Sequence, residues 1–168
     1  RNYRNSYGMF VSNGILFNHE SPRRGSNFVT SKIVKGACAI AMGKQNTLSL
    51  GNLDATRDWG HALDYVNAMW MMMQQDKPSD YVCSTGVSHS VRDCCMQVFS
   101  SLGLNYEDHV VIDPKFYRPE ELRDLKGDST KLRTELGWSE TYTFESMMSE
   151  MVDYELTSEY GASLDMIM

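Results

Sequence analysis

Asn13-Gly14-Ile15-Leu16-Phe17-Asn18-His19-Glu20-Ser21-Pro22-Arg23-Arg24-Gly25 is the stretch on which the fold turns. Its first half completes an apolar run, residues 8–17, rich in strand formers and without clean alternation. Such a run suits a strand covered on both faces, as in a parallel sheet. Its second half is polar and framed by Pro22 and Gly25. A polar loop directly after a buried strand is where α/β proteins place ligand chemistry. Arg23 and Arg24 can offer a phosphate a rigid fork of donors, with Asn18 and His19 adding neutral hydrogen bonds. From residue type alone, a solvated loop with two surface arginines fits equally well.

Working outward, a helical period of Phe28, Val29, Ile33, Val34, Ala37, Ile40 and Ala41 predicts a helix over about 28–42, with Gly43 as its stop. Residues 47–50 read as a short strand. A second helix carries Tyr65, Val66, Ala68, Met69, Met72 and Met73, and the methionine-rich stretch 69–73 reads as adaptable core packing. Residues 81–83 read as a strand, and residues 91–102 as a helix with Ser90 as N-cap and Gly103 past its end. Residues 110–112 form a strand stopped by Asp113-Pro114. Two last helices, about 129–136 and 144–156, are separated by Gly137-Trp138. Strands alternating with helices indicate an α/β architecture. The first strand reads as an interior one whose neighbours are not all in this chain, so an additional segment is expected to complete the fold.

Composition narrows the function. With 168 residues, 42% of them hydrophobic and 23% charged, the chain can bury a real core. A net charge of −6 opposes non-specific nucleic-acid binding, although a local arginine cluster can still take a small phosphorylated ligand. No apolar stretch is long enough to span a bilayer, and the start lacks a secretory pattern. Cys38, Cys83, Cys94 and Cys95 form no Cys-x-x-Cys pair, which fits reduced, buried thiols in a cytoplasmic protein and gives no support for zinc.

Two further loops follow strands and contain arginine. In Gly51-Asn52 through Arg57-Asp58-Trp59, small residues would let backbone approach a flat ring while Arg57 neutralises a diphosphate. In Tyr117-Arg118-Pro119-Glu120-Glu121, Arg118 beside a glutamate could hold a phosphate and a ribose hydroxyl together. Judged singly, each is also compatible with a turn carrying a surface ion pair. Read in order, the 13–25 string, Phe28-Val29-Thr30, Leu50-Gly51-Asn52-Leu53-Asp54-Ala55, Arg57-Asp58-Trp59-Gly60-His61-Ala62, Tyr117-Arg118-Pro119 and Gly127-Asp128 closely resemble the GDP-mannose 4,6-dehydratases. These are extended short-chain dehydrogenase/reductases, and the resemblance covers about residues 3–156. Two departures stand out: a short 103–109 interval where the family often has an insertion, and Arg123 where many relatives are acidic.

The resemblance implies the closing part of an NAD(P)-binding Rossmann-type sheet plus the smaller sugar-nucleotide-binding domain. It implies NADP contacts at His19 and Arg24, and GDP-mannose contacts at Asn18, Val29, Lys32, Gly51, Asn52, Arg57, Arg118 and Glu121, with Leu50 passing the nucleotide by its backbone. It also implies a homo-oligomer, dimer or tetramer, with the Arg23-Arg24 loop near a subunit interface. The family's chemistry needs a glycine-rich cofactor turn and a tyrosine base four positions before a lysine. Neither pattern occurs here. The catalytic residues are therefore expected in an amino-terminal half preceding Arg1, leaving this chain inactive alone. An enzyme acting on another nucleotide sugar, and a non-catalytic binding module, stay open beside this reading.

Overall fold

The computed structural model describes residues 1–117 and 124–166. In chain order the elements are α1 (Asn2–Tyr7), β1 (Asn13–Leu16), β2 (Asn18–Glu20), α2 (Val29–Ala41), β3 (Leu48–Leu50), β4 (Thr56–Arg57), β5 (Trp59–His61), α3 (Ala62–Met73), β6 (Asp80–Cys83), β7 (His89–Ser90), α4 (Val91–Ser101), β8 (Val110–Ile112), α5 (Thr130–Leu136) and α6 (Phe144–Glu155). Among the described residues, none of the helices is long and apolar enough to cross a membrane.

Strands pair β1–β6, β2–β5 and β3–β8 in parallel, and β4–β7 antiparallel. The expected α/β class with parallel strands is what the chain forms. Two apolar cores support it. One gathers α2, α4 and α6 around Ile33, Ala37, Cys94, Val98, Phe99, Met148 and Val152, with Leu48 and Leu50 of β3 beneath. The other joins α3 to β6 and α5 through Tyr65, Ala68, Met72, Tyr81, Leu132 and Trp138, with Leu16 and Phe17 against it. Each fully buried aliphatic or aromatic side chain contributes about 1.5–3 kcal/mol.

Local chemistry sets the element ends. Ser90 caps α4 in a reciprocal box: its hydroxyl accepts from Asp93 N–H, and the Asp93 carboxylate accepts from Ser90 N–H at 2.8 Å. His61 caps α3 by accepting from Leu63 N–H at 3.1 Å, while its Nε2 contacts Glu150 at 2.8 Å. All four cysteines are free and buried. Burial pushes the thiols of Cys38, Cys83 and Cys95 up to about 12, and that of Cys94 well above its ordinary value. They pack as small neutral side chains.

Three sequence expectations need correction. The apolar run 8–17 is not one strand: β1 spans four residues, is mostly exposed, and is followed by the separate β2. Among the described residues β1 pairs with β6, and three of its four residues are exposed. The methionine stretch is only partly core. Met72 is buried, but Leu63, Val66, Met69, Trp70 and Met73 form an exposed apolar stripe on α3. A helix apolar all round cannot be assigned one buried face from its sequence. Finally, α1 is a helix where none was expected.

That helix buries no residue, so packing does not hold it. Instead Arg4 donates through Nε to Val11 O at 2.8 Å and pairs with Asp80 of β6. Asn13 Nδ2 donates to the same carboxylate at 2.6 Å. Those hydrogen bonds, from Asn13 first and then Arg4, hold Asp80 down at about 2, below its ordinary 3.8. A depressed folded-state value means the tether is intact above pH 3.8 and is lost as pH falls through about 2. A carboxyl-carbon NMR titration of Asp80 is expected to show a midpoint near 2, and Arg4→Ala to move it upward. A midpoint at 3.8 in the unmodified chain would rule out this anchoring of α1.

Candidate functional site

The site grows from the parallel pairing of β2 with β5. Its register places Asn18 beside Trp59, His19 beside Gly60 and Glu20 beside His61, so the first arginine loop and the Arg57-Asp58 segment become neighbours. No side chain fits at Gly60, because a Cβ there would sit 2.4 Å from Tyr65 Cε2 and 3.0 Å from Thr85 Cγ2. The space is used by Tyr65, fully buried, whose ring lies 5.1 Å from the His19 ring and edge-on to Trp138. His19 Nδ1 lies 2.9 Å from Phe17 O. A carbonyl only accepts, so Nδ1 is the donor in this contact and Nε2 is left for a ligand.

Glu20 closes β2 at 1% exposure and touches the base of the arginine loop. Its Oε2 accepts from Thr30 Oγ1 at 2.6 Å, inside the first turn of α2. Arg24 Nε lies 2.9 Å from the same oxygen, an ion-pair contact in which the N–H does not point along the line to Oε2. Burial raises the Glu20 carboxyl above its ordinary value, against the lowering by Thr30, Arg24 and His19. Over the other side of Arg24, the Phe28 ring centroid is 3.5 Å from Cζ.

One turn further along α2, Lys32 Nζ donates to Ser49 O at 2.6 Å and sits 3.8 Å over the Phe116 ring. Burial lowers its pKa, assisted by nearby Lys115 and opposed by Asp113. Gly51 is required here by close approach: a Cβ would lie 2.6 Å from Phe116 O. Thus Lys32, the backbone at Ser49–Gly51 and the segment entering the third loop converge. Asn52 Oδ1 accepts from Asp54 N–H at 2.9 Å, which tightens the turn between β3 and β4. Arg57 donates to Thr56 O at 2.6 Å, and β4 is tied to β7.

Asp58, fully buried, joins these loops. Its Oδ1 accepts from Thr85 N–H at 2.9 Å and Thr85 Oγ1 at 2.7 Å. Its Oδ2 accepts from Gly86 N–H at 2.9 Å and Gly127 N–H at 3.1 Å. Asp58 N–H in turn donates to Leu125 O at 2.9 Å. One carboxylate therefore fixes the residue after Arg57, the loop after β6 and the chain beyond the third arginine loop.

Of the residues named from sequence, Arg24 lies against Glu20 and Phe28 at the start of α2, His19 packs beside Tyr65, and Lys32 and Gly51 converge on Phe116. Asn18, Val29, Asn52 and Arg57 stand on the elements flanking them. Arg118 and Glu121, like Arg123, lie outside the described residues. Sequence reasoning missed Glu20 as the anchor of Arg24, Asp58 as a hub, and Phe116. An acidic residue wedged between a strand and an arginine loop was the available signal for Glu20. A separate open cleft of about 450 Å³, lined by His61, His89, Tyr142 and Phe144 among others, takes in none of the expected contacts. Among the described residues, no group of three or more metal-ligating side chains is assembled.

A sequence model described as GDP-mannose 4,6 dehydratase matches residues 1–151. The chain is 52% identical over 155 residues to GDP-mannose 4,6 dehydratase 1 of Arabidopsis thaliana, covering 92% of this chain and 43% of that protein. It is 46% identical over 174 residues to the GDP-mannose 4,6 dehydratase of Homo sapiens, covering 92% and 47%. The chain thus spans about half the length of the curated relatives it matches. Its fold is similar to that of the RMD protein of Pseudomonas aeruginosa, solved with NADPH (TM-score 0.83, 20% identity, 91% of this chain and 50% of that one). It is also similar to a dTDP-glucose 4,6-dehydratase of Bacillus anthracis solved with NAD (TM-score 0.78, 21% identity, 94% and 48%).

Proposed function

The chain belongs to the GDP-mannose 4,6-dehydratase family, and from that premise we propose that it is the part of such an enzyme that holds the sugar nucleotide and closes over NADP. The whole enzyme would convert GDP-mannose to GDP-4-keto-6-deoxymannose with loss of water. Bound NADP would supply the hydride acceptor and donor of that internal redox reaction. His19 and Arg24 are assigned to the cofactor. Asn18, Val29, Lys32, Gly51, Asn52, Arg57, Arg118 and Glu121 are assigned to GDP-mannose.

The observation carrying this reading is the convergence of Lys32, the Gly51 backbone and Phe116, with Phe28, four positions before Lys32, holding the Arg24 guanidinium over its ring. Cations there can form charge-assisted hydrogen bonds to a diphosphate, while backbone and ring offer flat contact to a base. His19 supports the cofactor assignment, since its Nε2 suits a sugar hydroxyl and Arg24 suits a phosphate. Arg57 and Arg118 would add charge from the other loops. A homo-oligomer, dimer or tetramer, and a cytoplasmic setting accompany the reading; buried free thiols agree with the latter.

The base that takes a proton from the sugar must come from outside this chain, which contains no Tyr-x-x-x-Lys. The expected partner is an amino-terminal half bearing the glycine-rich turn. The test is 4-keto-sugar formation from GDP-mannose and NADP. No turnover is expected from the chain alone, and turnover is expected once the amino-terminal half of the Arabidopsis relative is fused ahead of it. Turnover by the chain alone would overturn the reading. Competition of GDP-mannose against UDP- and dTDP-sugars on the fused protein tests the sugar nucleotide.

A further inference from the structure

We propose that Glu20 is a positioning residue, which holds the Arg24 guanidinium so that its two terminal nitrogens are presented to a phosphate of the cofactor. This deepens the reading above and rests on its assignment of Arg24 to NADP.

Three contacts restrain Arg24, whose side chain is 19% exposed. Glu20 Oε2 stands 2.9 Å from Nε, an ion-pair contact at the inner edge of the guanidinium. Phe28 covers one face at 3.5 Å. The loop itself is folded by Arg24 N–H donating to Ser21 O at 2.9 Å and Phe28 N–H donating to Gly25 O at 3.1 Å. Among the described residues, neither Nη makes a hydrogen bond. The inner edge is occupied, one face is covered, and the outer edge with its four N–H groups is unspent. An arginine so held loses less rotational freedom when it meets an anion.

Glu20 is itself pinned. The Thr30 hydroxyl donates to the oxygen that faces Arg24, and β2–β5 pairing fixes its backbone opposite His61. Burying a carboxylate to 1% exposure is unfavourable without a return elsewhere, and one hydrogen bond plus an ion pair lacking in-line geometry recovers little of it. A glutamine of the same shape would keep the Thr30 hydrogen bond at lower cost. The charge at Glu20 is thus explained by what it does to Arg24 rather than by packing.

Simple electrostatics and positioning predict opposite signs for Glu20→Gln. Removing a negative charge beside a cation should strengthen anion binding if charge alone matters. If Glu20 orients Arg24, anion binding should weaken. The experiment uses the full chain with ¹⁵N-arginine label. Rotation of the Arg24 side chain about its Cδ–Nε bond, which swings Nε–H away from Glu20, is expected to be slow in the unmodified chain and about tenfold faster in Glu20→Gln, the change of rate for an ion-pair contribution near 1.4 kcal/mol. Affinity for inorganic pyrophosphate, followed at the Arg24 Nε–H signal, is expected to fall about three- to tenfold in Glu20→Gln. Equal rotation rates, or equal or tighter pyrophosphate binding in that variant, overturn the proposal. Thr30→Val, which deletes the supporting hydroxyl but leaves both charges, is expected to give an intermediate rotation rate; a rate no faster than in the unmodified chain also counts against it. Arg24→Ala isolates the underlying assignment. If its pyrophosphate affinity equals that of the unmodified chain, Arg24 is not the anion contact, while the rotation rates still decide the role of Glu20.

Discussion

Asp58→Ala is expected to destabilise the chain by about 2–4 kcal/mol, because it strands one buried and three half-buried donors and empties a buried site. Four donors converge on that carboxylate, from Thr85 N–H, Thr85 Oγ1, Gly86 N–H and Gly127 N–H. Asp58 and Gly127 are buried, so the Gly127 N–H loses its acceptor outright, while water from the adjoining cleft can reach Thr85 only in part. Domains of this size have a total stability of about 5–15 kcal/mol, so the change consumes a large share of it. Asp58→Asn is not a rescue. Its amide nitrogen would face the donors that Oδ2 now accepts, and donor would meet donor. Urea unfolding of both variants is the measurement. Midpoints that give less than about 1 kcal/mol of change for both would show that this hub is not structural. The same change should loosen Arg57, whose backbone adjoins the hub.

Gly60→Ala carries the second large effect, about 1–3 kcal/mol of overpacking strain. The added methyl would meet the Tyr65 ring at 2.4 Å and Thr85 at 3.0 Å. Neither neighbour is the loose end of a flexible side chain. Tyr65 is buried against Trp138 and stands beside His19, so relief requires moving the ring and with it the His19 environment. Two readings check this together: a lowered unfolding midpoint and a displaced His19 imidazole signal. Tyr65→Leu should absorb part of the strain, so the double variant should cost less than the two single changes added. Strict additivity would mean that the contact is not what excludes a side chain at position 60.

These two residues also show where sequence reading ran out. Long, periodic segments were legible. The helix expected over 28–42 forms as Val29–Ala41, and the strand at 110–112 forms at Val110–Ile112. Their signals are local: spacing of apolar residues, a stop at Gly43 or at Asp113-Pro114. The two- and three-residue strands β4, β5 and β7 carry no such signal, since Trp59-Gly60-His61 is too short to show a period. Helix α1 has no apolar face, and its anchor lies on β6 at Asp80. The exposed stripe on α3 could not be told from a buried one while both faces read as apolar.

The same distinction divides the site. Arg24 and Gly51 stand out in the sequence because arginine and glycine in strand-following loops suggest phosphate and close approach, and Lys32, on α2, because the ordered motifs resemble a family. Asp58 is illegible in the sequence because its partners Thr85, Gly86 and Gly127 are remote and ordinary in type, whereas Glu20 carries only the weak local signal of an acid beside an arginine loop. A carboxylate's role as acceptor for backbone N–H groups is written in the fold rather than in the neighbouring letters.

The parallel pairing of β1 with β6 has a further consequence during synthesis. Asn13 reaches its partner Asp80 only after 67 more positions have been added. At about 5–20 residues per second, the ribosome takes on the order of 3–13 s to make that interval. Through it, the segment around Ile15 waits without its strand partner, while helices such as α2 can form from neighbours already present. Formation of this pair therefore waits on synthesis rather than on loop closure, and the nascent chain is most exposed to wrong pairing before β6 emerges.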